Sequence, residues 1–221
     1  MTEPLEIEIF VDQSCPYCHY ALATIRRVLD TLAADPAAPA IVARWRFLRL
    51  YDLEPPEGRP RLDYLTGSGR SPEAAAESMA ELRGLAAAEG VRIDDDRYVF
   101  VDNPLLPHRL LAMCRDETGS DVPELWSLAR VLWAARYARG VRTDDLAALR
   151  QAVEDGGLEV PGRIWKRLAD PADHLAETLA DRAYAQSVGL DGVPRLRIHG
   201  TIVPAWHPFT QVLAEVRVAI G

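Results

Sequence analysis

Apolar positions along this chain recur with two periods, and the changes of period mark where strands give way to helices. Leu5 to Val11 is a largely apolar run of strand length, which predicts a buried β-strand. After it, Cys18, Ala21, Leu22, Ile25, Val28, Leu29 and Leu32 share one helical face. Pro16 then falls at the first helical position, where a missing N–H costs nothing. Ile41 to Leu53 predicts a second strand: Trp45 and Phe47 alternate with Arg44 and Arg46, then Leu48 and Leu50 alternate with Arg49. The phase change at residues 47–48 predicts a bulge or a strand covered on both faces. Strand, helix and strand in this order predict a parallel βαβ unit.

Glu54 to Gly69 changes character, with Pro55, Pro56 and Gly58 close together, and the first module boundary is placed there. Beyond it the chain reads as helical. Ser71-Pro72-Glu73 opens a helix that runs to Gly90. Tyr98 to Val101 is too short and isolated to count as a sheet strand. Asn103-Pro104 opens the next helix, which carries His108, Leu111, Met113 and Cys114 and ends by Gly119. Asp121-Val122-Pro123-Glu124 has the form of a capping box, followed by an amphipathic run to Gly140. Thr143 or Asp144 caps another helix, closed by Gly156-Gly157. Ile164 to Leu168 is a short helix, and Asp170-Pro171 starts a longer one ending near Gly189. The period then returns to two: Leu196 and Ile198 alternate with Arg195, Arg197 and His199, and Gly200 turns the chain into Thr201-Ile202-Val203. Pro208 opens a last helix with Phe209, Val212, Leu213, Val216 and Ile220 inward. The whole reads as one α/β domain interrupted by a helical insertion.

Chemistry concentrates where the first strand meets the first helix, in Phe10-Val11-Asp12-Gln13-Ser14-Cys15-Pro16-Tyr17-Cys18-His19. Cys15 falls at the helix N-cap, where the helix dipole and unpaired N–H groups favour a thiolate. Cys18 lies one turn on, on the same face, within reach of a disulfide. A nucleophilic thiolate with a resolving thiol beside it is the equipment of thiol–disulfide exchange. Three other readings compete. Cys-x-x-Cys-His is also the attachment signature of c-type haem, but that requires export, and Met1 to Val11 has neither a basic start nor a long apolar core. A zinc site needs two more ligands at matching spacing, and the third cysteine, Cys114, stands alone. A structural disulfide or two inert core thiols is the plainest alternative. Strand, Cys-x-x-Cys and helix in succession favour the redox reading.

Composition narrows the partners. The 221 residues carry a formal net charge of -8, which argues against nucleic acid or an anionic membrane as the main partner. No stretch approaches the roughly 18 uninterrupted apolar residues of a membrane span. The expectation is a cytoplasmic protein, in a compartment that keeps thiols reduced, so a Cys-x-x-Cys pair is catalytic or metal-binding rather than a staple.

With Cys15-Pro16-Tyr17-Cys18 at the first helix and Gly192-Val193-Pro194 before the hairpin, the chain resembles the thioredoxin fold. More narrowly it resembles the DsbA family, whose helical domain is inserted at this point, and within it the cytosolic FrnE-like branch. Tyr51 to Gly58, Asp63-Tyr64-Leu65, Asn103 to Leu110 with His108-Arg109-Leu110, and Gly189 to Pro194 support this, so the resemblance spans nearly the whole chain. It implies a thioredoxin-like domain in two parts, residues 1–62 and 184–221, around a helical insertion at 63–183. It further implies a cis peptide at Val193–Pro194, facing the cysteines and leaving the Val193 backbone to pair with an extended substrate. Alternatively, Gly192-Val193-Pro194 is only a turn. The chain departs from the pattern at Tyr17, where relatives usually carry Trp, at Arg195, where they carry an aromatic, and at Val203 to His207.

The resulting expectation is a protein disulfide oxidoreductase or isomerase with Cys15 as nucleophile and Cys18 resolving. Pro16 and Tyr17 set the reduction potential. His19 supports the thiolate or relays a proton, or is a half-exposed residue without a role. Asp12 caps the loop or accepts a proton, and Cys114 is a buried apolar thiol. His108 is a packed, hydrogen-bonded histidine or faces the cleft. No cofactor or metal is expected beyond a low-molecular-weight thiol, such as glutathione or mycothiol, as redox partner. The alternative enzyme is a thiol-dependent transferase or isomerase of the kappa-class glutathione transferase or hydroxychromene-carboxylate isomerase type. Such relatives usually have serine at the Cys15 position, so Cys18 counts against it. A non-catalytic binding module is the third possibility.

Overall fold

A computed structural model describes residues 4–36, 38–49, 58–67, 69, 71–118 and 123–221. The apolar run Leu5–Val11 forms β1, one of the two inner strands of a four-stranded sheet. It pairs in parallel with β2 (Ile41–Phe47), from Leu5 opposite Ile41 to Val11 opposite Phe47. On its other side it pairs antiparallel with β5 (Arg195–Ile198), which leads into the edge strand β6 (Thr201–Pro204). Between β1 and β2 runs α1 (Pro16–Ala33).

The alternation in these strands sorts side chains between the two faces. Glu8, Arg46 and Arg197 share one face, where Glu8 accepts from Arg46 (3.2 Å), Arg197 (2.8 Å) and the Tyr184 hydroxyl (3.0 Å) of α8 (Leu175–Ser187). Trp45 points to the other face and meets Trp126 of α5 (Pro123–Arg139) edge-on at 4.5 Å. The phase change expected at 47–48 falls where β2 ends. Leu48 is already outside the strand, although its N–H still reaches the Val11 carbonyl (3.1 Å). Arg49 comes next, and Leu50 to Glu57 lie outside the described residues.

Among the described residues, the segment between β2 and β5 is mainly helical: α2 (Arg61–Gly67), α3 (Pro72–Ala88), α4 (Leu105–Thr118), α5, α6 (Leu146–Asp155), α7 (Gly162–Leu168) and α8. Several sequence signals shift here. Phe100–Val101, read as isolated, is a strand (β4) that pairs antiparallel with β3 (Arg59–Pro60) in a separate two-stranded sheet. Asp145, rather than Thr143 or Asp144, caps α6, accepting the Ala148 N–H at 2.8 Å. The other two are engaged elsewhere, Thr143 with Asp102 and Asp144 with Arg142. The helix expected from Asp170-Pro171 begins only at Leu175, after His174 in the left-handed region (φ 59°). The intervening turn wraps the Arg109 guanidinium, which donates to the carbonyls of Leu168 (3.3 Å), Asp170 and Asp173 (2.8 Å). The capping residues Asp121 and Val122 lie outside the described residues.

The chain returns to the sheet through the β5–β6 hairpin. Its two turn residues, His199 and Gly200, both have positive φ, as a tight two-residue hairpin turn requires. The last helix, α9 (Phe209–Ile220), packs against α1.

Candidate active site

Strand β1 delivers the chain into a four-residue turn, Asp12 to Cys15, and α1 begins at once. Cys15 is the N-cap, with extended backbone (φ -95°, ψ 115°), and Pro16 occupies the first turn without needing an N–H partner. The Cys15 N–H donates to the Asp12 carbonyl (3.0 Å), and the Cys15 carbonyl accepts from Cys18 N–H (3.1 Å). The Cys15 thiol is 6% exposed and points to the Val193 carbonyl 3.8 Å away, 178 residues further along the chain. The Val193–Pro194 peptide is cis, and the Pro194 carbonyl accepts from Ala205 N–H (3.2 Å).

Cys18 lies one turn deeper and is fully buried. Its Sγ accepts the Asp12 N–H at 3.4 Å. Burial, then the neighbouring Cys15, pushes the Cys18 thiol well above its ordinary pKa, so the reduced protein keeps this proton. Cys15, Cys18 and Cys114 are all free thiols. Cys114 is buried in α4 far from either sulfur in sequence, and burial, with Glu117 nearby, raises its pKa to about 12.

A cleft of about 330 Å³ opens beside Cys15, lined among others by Pro16, Tyr17, Tyr64, Tyr98 and Val193. The Tyr17 hydroxyl donates to the Ser78 carbonyl of α3 (3.4 Å). Arg195, directly after the cis-proline, stacks its guanidinium 3.7 Å from the Trp206 ring centroid and reaches Asp191 at 3.4 Å. Arg195 and Trp206 therefore meet in space.

The flanking candidates separate. His19 is buried rather than half-exposed. Its Nε2 sits 3.1 Å from the Arg92 carbonyl, and its ring stacks on Tyr137 at 5.6 Å. Burial lowers its pKa to about 4, so the charge that would support a thiolate is absent near neutral pH. Asp12 is fully buried, and its carboxylate accepts from Ser14 N–H (2.8 Å) and Ser14 Oγ (2.7 Å), closing the turn. Burial acts to raise the Asp12 carboxyl, but His108 and the two Ser14 donors outweigh it and hold the pKa below 3.8. His108 Nε2 lies 3.3 Å from Asp12 Oδ1 and also accepts Gln13 N–H at 2.9 Å. A single ring nitrogen cannot accept from Gln13 and donate to Asp12 together, so the Ser14 bonds are the ones that hold the carboxylate in either tautomer.

The residue that sequence reasoning passed over is Gln13. It has no accessible surface, and four side chains of the helical segment converge on it. His108 takes its N–H, and its carbonyl accepts the Tyr137 hydroxyl (3.1 Å). Its Oε1 accepts from Arg136 Nη1 (2.9 Å), with the Thr143 hydroxyl 3.2 Å away, and its Nε2 reaches the Leu132 carbonyl (3.4 Å). Arg136 in turn pairs with Asp102, each only 2% exposed, and Asp102 also accepts from Thr143 N–H (2.9 Å) and Oγ (2.8 Å). The one sequence signal was an arginine, Arg136, set among the apolar Leu132, Trp133, Ala135 and Tyr137. Among the described residues, no group of three or more His, Cys, Asp or Glu is placed to hold a metal ion.

A family model described as a DSBA-like thioredoxin domain matches residues 6–214. The chain belongs to this family. No match was found among curated proteins. Solved structures add fold likeness to this DsbA-like chain. A probable DsbA oxidoreductase from Streptomyces coelicolor is 25% identical, with a TM-score of 0.79 over 97% of this chain and 89% of that one. The cytosolic disulfide reductase DsbM from Pseudomonas aeruginosa, solved with GSH, is 15% identical, with a TM-score of 0.63 over 97% and 98%. A 2-hydroxychromene-2-carboxylate isomerase is 12% identical, with a TM-score of 0.64 over 96% and 95%. No helix among the described residues is long and apolar enough to cross a membrane.

Proposed function

We propose that this DsbA-like protein is a thiol–disulfide oxidoreductase of the FrnE-like kind, with Cys15 as nucleophile and Cys18 as resolving thiol. The observation that carries the reading is the position of Cys15, at the N-cap of α1, against the Val193 carbonyl and at the edge of a cleft, with Cys18 buried one turn below. The Cys15 thiolate attacks one sulfur of a substrate disulfide, forming a mixed disulfide while the other substrate sulfur leaves as a thiolate and takes up a proton. Cys18 then gives up its proton and attacks Cys15 Sγ. The Cys15–Cys18 disulfide forms, and the second substrate thiolate leaves. The protein dithiol has been oxidised by two electrons and the substrate disulfide reduced to two thiols. Two equivalents of a low-molecular-weight thiol, such as glutathione or mycothiol, restore the dithiol and are themselves oxidised to a disulfide.

Pro16 and Tyr17 line the cleft beside Cys15 and set the reduction potential of the pair. The Val193 and Pro194 backbone is the surface on which an extended substrate lies, and Asp12 holds the turn. The location in this reading is cytoplasmic, where thiols are kept reduced.

Equilibration of the protein in graded thiol buffers, with mass readout of both cysteines, tests the reading. A two-electron Cys15–Cys18 transition is expected, and Cys15→Ser abolishes it. If Cys15 instead holds one small thiol stably, with no internal disulfide, the exchange mechanism fails and a thiol-dependent transferase or isomerase takes its place.

A further inference from the structure

Resting on the exchange reading, we infer that Gln13 is a positioning residue through which the helical segment sets the rate at which Cys18 resolves the mixed disulfide. Gln13 does not touch either sulfur. It is flanked by the residues that do the aligning: Asp12, whose N–H donates to Cys18 Sγ and whose carbonyl holds Cys15 N–H, and Ser14, which closes the turn. Resolution requires Cys18 to shed a proton in a fully buried site, and burial strongly opposes that charge. The Asp12 N–H is a donor already aimed at the atom where negative charge develops, and such a donor is worth most when it is held in place beforehand. The peptide that carries it is held on the sheet side by Leu48 N–H on the Val11 carbonyl (3.1 Å). Gln13 adds anchorage on the helical side by tying the turn to α4 through His108, and to α5 through Tyr137, Arg136 and the Leu132 carbonyl.

The anchorage is itself braced. Arg136 is fixed by the buried Asp102, and Asp102 by Thr143. Thr143 Oγ lies near both Asp102 (2.8 Å) and Gln13 Oε1 (3.2 Å), and its one proton serves the shorter contact. The oxygen of the Gln13 amide thus depends chiefly on Arg136, and the orientation of the amide is settled by its cationic partner. A turn secured only for fold stability would need no such convergence on one residue next to the Cys18 donor.

The test loads Cys15 with an aromatic disulfide whose thiol is coloured on release. The first equivalent reports attack by Cys15, and the second, released when Cys18 displaces it, reports resolution. Gln13→Ala is expected to slow the second release by about fivefold, the worth of one ordinary hydrogen bond, while the first changes far less. Tyr137→Phe, which removes only the hydroxyl on the Gln13 carbonyl, should slow the second release in the same direction. Gln13→Glu keeps the acceptor for Arg136 but loses the donor to the Leu132 carbonyl and adds a negative charge, so it should recover only part of the rate. Should Gln13→Ala fail to fold, the other two variants still decide. The inference is overturned if the variants lower the melting temperature yet leave the second release at the wild-type rate. A wild type that releases only one equivalent would instead refute the exchange mechanism on which the inference rests.

Discussion

His19 and Asp12 flank the cysteine turn and respond to acid in separate windows. The His19 pKa falls from 6.5 to about 4 on folding, chiefly through burial, so between these values the unfolded chain binds a proton that the folded one refuses. Stability therefore decreases as pH is lowered through that window, by at most about 3 kcal/mol. His19→Gln, whose amide can still donate to the Arg92 carbonyl, should flatten the dependence between pH 6.5 and 4 in urea titrations. Asp12 acts lower. Its folded pKa lies below 3.8, so its contribution is complete above the unfolded value and is lost as pH falls through the folded one. Asp12→Asn should leave the His19 window intact and reduce the steepness of acid unfolding below about pH 4. A change in the upper window instead would mean that the Ser14 bonds do not govern Asp12.

At the scale of elements, α5 matters most, because its last turns carry Leu132, Arg136 and Tyr137 to the cysteine turn. Its end is set by Gly140, which has φ +71° and whose added Cβ would come within 2.6 Å of the Arg97 carbonyl oxygen. The Gly140 N–H still bonds to the Arg136 carbonyl, so any shift at 140 is felt at Arg136. Gly140→Ala combines an unfavourable backbone region with a clash against rigid main chain, and should cost about 2 kcal/mol or more in chemical denaturation. A capping loss should be smaller: Ser71 Oγ accepts Ala74 N–H (3.2 Å) at the start of α3, and Ser71→Ala should cost about 1 kcal/mol.

Across the whole molecule, the helical segment reaches the active-site turn through Arg136, which donates to Gln13 (2.9 Å) and is held within that segment by a buried charge pair. Arg136 and Asp102 are each 2% exposed, so removing one leaves the other charged and out of reach of water. Asp102→Ala is expected to destabilise the protein by about 3–5 kcal/mol, whereas replacing both partners with apolar residues should recover much of that loss. Comparing single and double variants in one denaturant series checks both statements. An equal loss in the single and double variants would show that packing around the pair, rather than its charge, sets the loss.

Residues close in sequence determined much of this protein before any tertiary contact was known. β1, α1, the hairpin and α9 follow from the periods of their apolar residues, and the Cys15–Cys18 pair from four adjacent positions. Cys114 was legible as an apolar thiol for the same reason, since it shares a helix face with Leu110 and Leu111. What periodicity could not reach were polar groups whose partners lie far along the chain. For His19 a thiolate-supporting role and a half-exposed position both stayed open, because helical spacing does not reveal that Arg92 and Tyr137 cover it. Gln13 was passed over because its partners are 95 to 130 positions away. The start of α8 slipped by several residues because Arg109, from a different helix, captures the carbonyls of the turn before it. Local pattern fixes which faces are apolar. Buried polar atoms must find whichever partners the packing brings them, and only the folded chain decides which those are.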